Sequence, residues 1–103
     1  MKRWKVIVTS DVQTDLDNFV YYLLVEKLNE QAARAVLDDY DETVDRLAEV
    51  AGSLKPLEDP QLNEYRKIRL RWHDYYLLYR IEDDTAIVDR MFHDLQDLDK
   101  AMK

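Results

Sequence analysis

The chain contains no cysteine, one glycine and two prolines. Without cysteine the protein can form neither a disulfide framework nor a thiolate metal site, and this composition is typical of a cytoplasmic protein. A single glycine also excludes a glycine-rich phosphate-binding loop. No apolar run reaches the roughly eighteen residues of a transmembrane helix. The apolar stretch from Val6 to Val8 is too short for an export signal, so we expect neither a membrane span nor secretion.

What the chain does contain indicates one globular domain covering residues 1–103. A length of 103 residues is near the usual domain size and allows one buried core. The apolar fraction of 47% argues against a disordered chain. Two histidines without cysteine make a metal site improbable, and no motif in the chain indicates a cofactor. We therefore expect no metal and no cofactor.

The net charge of −7 is unevenly distributed along the chain. Residues 10–65 carry four cations and fourteen acids, whereas residues 66–103 carry eight of each. Six of these eight cations lie between Arg66 and Arg90. An acidic protein repels nucleic acid at long range, but a local basic surface is compatible with this distribution.

The most regular pattern of the chain lies between residues 65 and 72, where apolar and cationic residues alternate. A period of two is typical of a half-buried strand. The apolar members are Ile68, Leu70 and Trp72, and the cationic members are Lys67, Arg69 and Arg71. Two segments rich in aromatic and β-branched residues follow after short polar turns, at 75–81 and 85–92. The sequence thus predicts a three-stranded antiparallel meander.

Two helices are predicted upstream of the meander, after a first strand over residues 4–8. Ser10 with Gln13 reads as a capping box at the start of the first helix, which should end near Leu28. Its stripe comprises Val12, Leu16, Phe19, Val20, Leu23 and Lys27. Asn29 is the expected cap of the second helix, and Gly52 is expected to end it in a left-handed conformation. Its stripe comprises Ala33, Val36, Leu37, Tyr40, Val44, Leu47, Ala48 and Ala51.

The short connection between the two stripes predicts an antiparallel helical hairpin, which should cover the apolar face of the sheet. After the meander, Asp94 reads as the cap of a short C-terminal helix with Asp97 in its first turn. Its apolar side comprises Leu95, Leu98 and Met102. The predicted class is α+β, in the order β-α-α-β-β-β-α.

The meander resembles the RelE/ParE superfamily of bacterial toxins. The similar residues are Arg-x-Ile-x-Leu from Arg66, Tyr-x-Leu-x-Tyr-Arg-Ile from Tyr75, and His-x-x-x-Asp from His93. The resemblance covers nearly the whole chain and implies the same fold. It also implies the toxin half of a type II toxin–antitoxin pair, neutralised by a cognate antitoxin.

The superfamily has two branches with different activities. Members of the RelE branch cleave messenger RNA in the ribosome by attack of the 2′-hydroxyl, with cations on the phosphate and a side chain that moves the proton. By position, Arg71 matches the phosphate-contacting arginine. The family's next arginine is Leu95 or Gln96 here, and its lysine pair before the meander is missing.

Members of the ParE branch inhibit DNA gyrase without hydrolysis. This chain resembles them in its long helical hairpin. The similar segments are Asp15-Leu16, Tyr21-Tyr22 and Gln31-Ala32-Ala33.

Five cations form the candidate site, which we call the cation row: Lys67, Arg69, Arg71, Arg80 and Arg90. The row has three interpretations: it binds nucleic-acid phosphates, it binds the antitoxin, or it is a solvated sheet face paired with acids such as Asp74 and Asp89. If the protein is a nuclease, Arg69 and Arg71 stabilise the phosphate and His93 moves the proton. Otherwise His93 caps or packs the strand end.

From the resemblance we expect a growth-inhibiting toxin that acts by binding, with DNA gyrase as its target. The alternatives are a ribosome-dependent mRNA endonuclease and a non-toxic partner-binding module with the same fold. In the binding hypothesis, the acidic hairpin or the terminal helix contacts the target. Exposed apolar residues on the hairpin could serve a homodimer or a toxin–antitoxin hetero-oligomer, and no membrane partner is expected.

Overall fold

The computed structural model describes residues 3–96. The helices and strands are β1 (Lys5–Val8), α1 (Ser10–Tyr21), α2 (Glu30–Val50), β2 (Tyr65–Arg69), β3 (Tyr75–Glu82) and β4 (Thr85–His93). One π-helical turn, Tyr22–Glu26, extends α1, and a 3-10 turn, Ala51–Ser53, follows α2. The predicted α+β class and the predicted order of strands and helices are confirmed over this range. The predicted C-terminal helix, with Asp97, Leu98 and Met102, lies outside the described residues.

The four strands form one sheet in the order β1-β4-β3-β2. Strands β2, β3 and β4 are the predicted antiparallel meander, and β1 pairs parallel to β4. The β3–β4 register shifts between Leu78 and Tyr79, because Leu78 pairs with Arg90 and Tyr79 with Val88. Asp89 is therefore an extra residue on β4, a β-bulge that re-aims the side chains on either side of it.

The helical hairpin covers one face of the sheet and forms the main core there. Its members include Val12 and Leu16 from α1, Val36 and Leu47 from α2, and Leu77, Tyr79 and Val88 from the sheet. Each fully buried side chain of this size contributes about 1.5–3 kcal/mol. Tyr76, Leu78 and Phe92 form a second, smaller cluster on the opposite face. Both faces of β3 are thus buried, which explains why its apolar residues run on without alternation.

The helix starts follow the predictions in one case and differ in the other. The Asn29 side chain accepts the N–H of Ala32 at 3.0 Å, as predicted for the cap of α2. The Ser10 capping box is wrong, because Thr9 is the cap and accepts the N–H of Val12 at 3.4 Å. The Thr9 hydroxyl also donates to the carbonyl of Asp89 on β4 at 3.2 Å. This contact with the sheet fixes the helix start one residue earlier than the local pattern indicates.

At the helix ends, a residue with a left-handed backbone conformation follows the first helix and not the second. Gly52 has no positive φ, so its predicted left-handed cap is wrong. A Cβ there would stand 2.7 Å from Cζ2 of the Trp4 ring, so the close approach of this ring calls for glycine. Leu28 has a φ of 50°, and the N–H of Asn29 donates to the carbonyl of Leu23 at 2.9 Å. A non-glycine residue in this region carries strain of about 1–2 kcal/mol.

Four residues of the predicted apolar stripes are exposed, and one of them is Leu95 of the predicted C-terminal helix, which is 89% exposed. Trp72 was expected beside Ile68 and Leu70, which are buried, but it is 72% exposed. Strand β2 ends at Arg69, so the alternation stops before Trp72 and the turn directs its side chain outward. Lys27 and Leu37 lie at the margins of their stripes and also face solvent. No helix within residues 3–96 has both the length and the apolar character that crossing a membrane requires.

Candidate functional site

Four of the five cations of the row lie on the outer face of the sheet, opposite the main core. Lys67 and Arg90 flank Leu78, because Leu78 pairs with Lys67 on one side and with Arg90 on the other. The Lys67 ammonium lies 4.9 Å from the centre of the Tyr76 ring. The Arg90 guanidinium lies 5.2 Å from the centre of the Phe92 ring. The cations therefore surround the small outer apolar cluster, where cation–π contacts hold two of them.

The strand alternation brings Arg69 and Arg80 to the same face, whereas Arg71 lies beyond the end of β2. Arg69 pairs with Tyr76 and Arg80 with Tyr65, both of which contribute to the outer face. Arg71 belongs to the turn between β2 and β3, and its guanidinium lies 3.2 Å from the carboxylate of Glu42 on α2. The sequence-predicted row thus divides into four cations on the outer face and one next to the hairpin.

The two arginines from β3 and β4 are both bound to carboxylates. Arg80 lies 2.8 Å from Asp89 and 2.5 Å from Glu82. The hydrogen bond to Asp89 raises the pKa of Arg80 above its ordinary value. Arg90 forms a two-pronged pair with Asp15 of α1, at 2.8 and 3.0 Å, and this bond likewise raises the pKa of Arg90. A guanidinium that bonds a carboxylate through two N–H groups, as Arg90 does with Asp15, forms a stronger ion pair than one held by a single contact.

Arg69 is paired as well. Its guanidinium contacts Asp94 and lies 3.7 Å from Asp74. Four of the five cations in the row therefore have an acidic partner, and two of these pairs, Arg69–Asp74 and Arg80–Asp89, involve the acids that the sequence suggested. An opening on this face, of about 380 Å³, is lined by Asp11, Tyr65, Arg80, Asp89 and Arg90. Two aspartates balance two arginines there, so the opening has no excess positive charge to select an anion.

Asp15 also binds the backbone of β4. One of its oxygens accepts the N–H of Met91 at 2.9 Å in addition to the Arg90 bonds. Strand β1 pairs with β4 only as far as Val88, so the rest of that β4 edge has no neighbouring strand among the described residues. The Asp15 carboxylate satisfies one N–H of this edge, and Arg90 neutralises the carboxylate. Arg90 thus has a structural task that its position in the sequence did not reveal.

The turn between β2 and β3 is held by Asp39 of α2, a residue that the sequence analysis missed. Its side chain is 1% exposed. It accepts the N–H of Arg71 at 3.0 Å and that of Trp72 at 2.8 Å, and Nδ1 of His73 lies 2.8 Å from Oδ2. Burial alone would raise the pKa of Asp39, but the bonds from His73, Trp72 and Arg71 together lower it below its ordinary value. The spacing Val36-Asp39-Tyr40-Thr43 could have indicated a buried aspartate.

His93, the candidate proton carrier, is held at the end of β4. Its Nδ1 accepts the N–H of Leu95 at 3.1 Å, and its ring meets the Tyr75 ring edge-on with centres 5.2 Å apart. Its backbone N–H donates to the side chain of Gln96 at 2.7 Å. Arg69 reaches this turn through Asp94, so the structure brings Arg69 and His93 into one neighbourhood. The partner of Arg71 lies elsewhere, on α2.

Within residues 3–96, no group of three His, Asp or Glu side chains is arranged to hold a metal ion.

The carbonyls at the end of α2 are bound by side chains from the sheet. The Tyr79 hydroxyl donates to the carbonyl of Ala51 at 2.6 Å, and Arg66 donates to the same carbonyl at 3.3 Å. Burial raises the pKa of Tyr79 to about 12, so this hydroxyl remains a donor.

Several solved structures have the same fold. A chain of the chromosomal ParDE toxin–antitoxin system from P. aeruginosa superimposes with a TM-score of 0.71 at 20% identity, covering 88% of this chain and 96% of that one. A chain of the RelBE2 toxin–antitoxin complex from Mycobacterium tuberculosis gives a TM-score of 0.56 at 26% identity, with 90% and 93% covered. A chain of the E. coli DinJ–YafQ toxin–antitoxin complex gives 0.55 at 12% identity, with 88% and 92% covered.

The similarity to solved structures establishes only the fold of this chain. The family follows from a match in sequence. No curated protein matches the chain. The family model for the ParE toxin of the type II toxin–antitoxin system parDE matches residues 6–98. This match spans most of β1, the helical hairpin and the whole meander, including both backbone-binding aspartates and the cation row. The chain therefore belongs to the ParE toxin family of type II toxin–antitoxin systems.

Proposed function

We propose that this toxin inhibits growth by binding its target, with DNA gyrase as that target, and that it does not cut RNA. The observation that carries the proposal is the pairing of the cation row. Arg69, Arg71, Arg80 and Arg90 each contact at least one carboxylate. A phosphate would have to displace these carboxylates, and separating a half-buried pair such as Arg90–Asp15 leaves an uncompensated charge. The row is therefore poorly prepared to stabilise a phosphorane.

The helical hairpin is the surface that we propose contacts the target. Exposed apolar residues cluster where α1 gives way to the π-helical turn and the connection to α2. They are Tyr21, Tyr22, Leu24, Val25 and Leu28. Contiguous apolar surface of this kind is typical of a protein-binding site, and tyrosines are enriched at the energetic centres of such sites. The acidic residues of the same hairpin would exclude nucleic acid from this contact.

We further propose a cognate antitoxin as the partner that neutralises the toxin. The similar structures from P. aeruginosa, M. tuberculosis and E. coli are those of toxin–antitoxin systems. An antitoxin must cover or distort the target-binding surface, so a toxin–antitoxin hetero-oligomer is the resting state in this proposal. The cytoplasm is the compartment in which both gyrase and a cognate antitoxin would be met.

The test of the proposal compares two assays on the same purified protein. One measures DNA supercoiling by gyrase, and the other measures cleavage of messenger RNA on programmed ribosomes. We expect supercoiling to be inhibited and the messenger RNA to stay intact. Val25→Glu should weaken inhibition at least about tenfold, because a charge would be buried in the contact. Arg71→Ala is the matched control and should inhibit as the wild type does, with an unchanged thermal midpoint.

The ribosome-dependent nuclease remains the second candidate because of one observation. The contact between Arg69 and Asp94 places a cation at the turn that begins with His93. In that case Arg69 and Arg71 stabilise the phosphate charge and His93 moves the proton. Cleavage by the wild type that Arg71→Ala abolishes would establish this candidate and contradict gyrase inhibition. A folded protein inactive in both assays would point to the non-toxic binding module.

A further inference from the structure

The connection between the two helices reverses the chain within three residues. Lys27 still has right-handed helical backbone angles, Leu28 has a φ of 50°, and the side chain of Asn29 already caps α2. The N–H of Asn29 donates back to the carbonyl of Leu23 at 2.9 Å, which closes the end of the first helix. The reversal therefore requires a left-handed backbone at residue 28, whatever side chain this residue carries.

The residue type at position 28 does not suit this backbone conformation. Glycine adopts the left-handed region without a steric penalty, and asparagine and aspartate tolerate it. Within residues 3–96, the other non-glycine residue with a positive φ is Asp83, at 54°, in the turn between β3 and β4. Aspartate belongs to the tolerated types and leucine does not. Leu28 is therefore the more strained of the two residues.

Burial does not compensate for the strain at Leu28. An apolar side chain stabilises a fold when it leaves water, but Leu28 is 84% exposed. The backbone reversal does not need this side chain, and the core does not contain it. A strained residue whose side chain contributes nothing to folding points to a function of that side chain.

A second irregularity lies directly before Leu28. The turn Tyr22–Glu26 is π-helical, and the N–H of Lys27 donates to the carbonyl of Tyr22 at 3.1 Å. A π-helical turn holds one more residue than an α-helical turn, and such turns are frequent at functional sites. Leu23 packs against the main core within this turn, whereas Val25 is exposed on it. The π-helical turn and the left-handed residue thus occur together in the apolar surface to which we assign target binding.

We propose that Leu28 is an anchor residue for the target, and that its side chain fills an apolar pocket of gyrase in the complex. The inference rests on the proposed function, which supplies gyrase as the target. Leucine is not among the residue types that are enriched at the energetic centres of interfaces, so the strain and the exposure single out Leu28, and not its type. The fixed left-handed backbone holds the side chain in one orientation, which lowers the entropy lost on binding.

Leu28→Gly tests the inference because its two expected effects have opposite directions. Relief of the strain, offset in part by the freedom of glycine in the unfolded chain, should raise the folding equilibrium constant about twofold to fivefold. Urea denaturation measures this change. The concentration that inhibits supercoiling by gyrase should rise at least about tenfold, because the anchor is lost. A purely structural role of Leu28 would not produce a more stable and less inhibitory toxin.

Asp83→Gly is the matched control, because it makes the same backbone change at the other positive φ. Asp83 follows the end of β3 that is opposite to Tyr75, and the Tyr75 ring lies 4.7 Å from the Phe19 ring of α1. This control is therefore remote from the end of the hairpin. Inhibition by Asp83→Gly should equal that of the wild type.

Two further substitutions separate the side chain of residue 28 from the flexibility of glycine. Leu28→Asn tolerates the left-handed backbone without the freedom of glycine, and it should also weaken inhibition at least about tenfold. Leu28→Met keeps an apolar side chain of similar volume and should weaken inhibition no more than about threefold.

The outcomes distinguish the inference from the proposed function. A Leu28→Gly variant that inhibits gyrase as the wild type does would overturn the inference and leave gyrase inhibition standing. A loss in Leu28→Gly that is absent in Leu28→Asn would also overturn it, because flexibility would then be the cause. A Leu28→Gly variant that is less stable than the wild type would contradict the strain on which the inference depends. If the wild type does not inhibit gyrase, both the inference and the proposed function are wrong.

Discussion

Each helix of the hairpin extends one aspartate to the sheet, but the two carboxylates meet different partners. Asp15 of α1 accepts one backbone N–H, from Met91, and is neutralised by a guanidinium, Arg90. Asp39 of α2 accepts two backbone N–H groups and contacts an imidazole, His73. The Asp15 side chain is 14% exposed and that of Asp39 is 1% exposed.

The comparison shows why a row of cations read from a sequence can mislead. Arg90 stands in the row, but it is the counter-ion of a carboxylate that binds the sheet backbone. Arg71 stands in the row as well, but its own N–H is bound by Asp39 and its guanidinium by Glu42. Each of these cations has a carboxylate partner that a bound phosphate would have to displace. The presence of a cation on the sheet therefore does not by itself indicate a binding site in this protein.

The largest effect is expected at Asp39. Asp39→Ala removes the acceptor for two backbone N–H groups and the partner of His73 in a buried place, and we expect a loss of about 3–4 kcal/mol in the free energy of unfolding. Urea denaturation followed by circular dichroism measures it. Asp38→Ala, at the exposed neighbouring position, should change it by less than about 0.5 kcal/mol. Equal losses in the two variants would contradict the assigned role of Asp39.

A smaller effect is expected at Asp15, since water can reach the partner that it leaves behind. Asp15→Ala frees the guanidinium of Arg90, whose side chain is 33% exposed, and the N–H of Met91. We expect a loss of about 2 kcal/mol in the free energy of unfolding, measured by urea denaturation as for Asp39. The exposed residue Asp17 provides the control, and Asp17→Ala should be nearly neutral. A larger loss of unfolding free energy in Asp15→Ala than in Asp39→Ala would contradict this ranking of the two aspartates.

The smallest effect is a difference in pH dependence. Because the folded-state pKa of Asp39 is lowered from 3.8, the unfolded chain binds the proton more readily. The carboxylate's contribution is therefore present above the unfolded pKa and is lost as the pH falls through the folded value. Between about pH 5 and pH 2, the stability of the wild type should fall more steeply than that of Asp39→Asn. Parallel curves would contradict the lowered pKa.

Much of the fold followed from local patterns in the sequence. Strict alternation at β2 and helical spacing at α2 predicted those elements, because each has one face that must be buried. Gly52 and Leu28 show the limit of this reasoning. Glycine suits a left-handed cap, but Gly52 is required by the approach of Trp4, and Leu28 takes the left-handed position. Contacts between residues that are far apart in the sequence cannot be predicted from the local spacing of residue types.

The candidate site was predictable in its placement and only partly in its pairing, since Asp74 and Asp89 were expected as partners and Asp15 was not. Alternation correctly brought Lys67 and Arg69 to one face of the sheet. The partner of Arg90 is Asp15, separated from it by 75 positions in the sequence, and no spacing rule connects them. Arg46 lies on α2 and was not considered at all, although its guanidinium donates to the carbonyl of Arg69 on β2 at 2.8 Å. Finding it required the packing of α2 against the strand edge.

Pulse-labelling of DNA and protein synthesis after inducing this chain in a bacterial host distinguishes gyrase inhibition from cleavage of messenger RNA. Cells that carry Arg71→Ala are labelled in parallel with cells that carry the wild type. If the toxin inhibits gyrase, DNA synthesis should fall first, with a damage response, and Arg71→Ala should behave as the wild type does. An immediate fall in protein synthesis that Arg71→Ala abolishes would contradict gyrase inhibition, because the paired cation row would then be doing catalytic work.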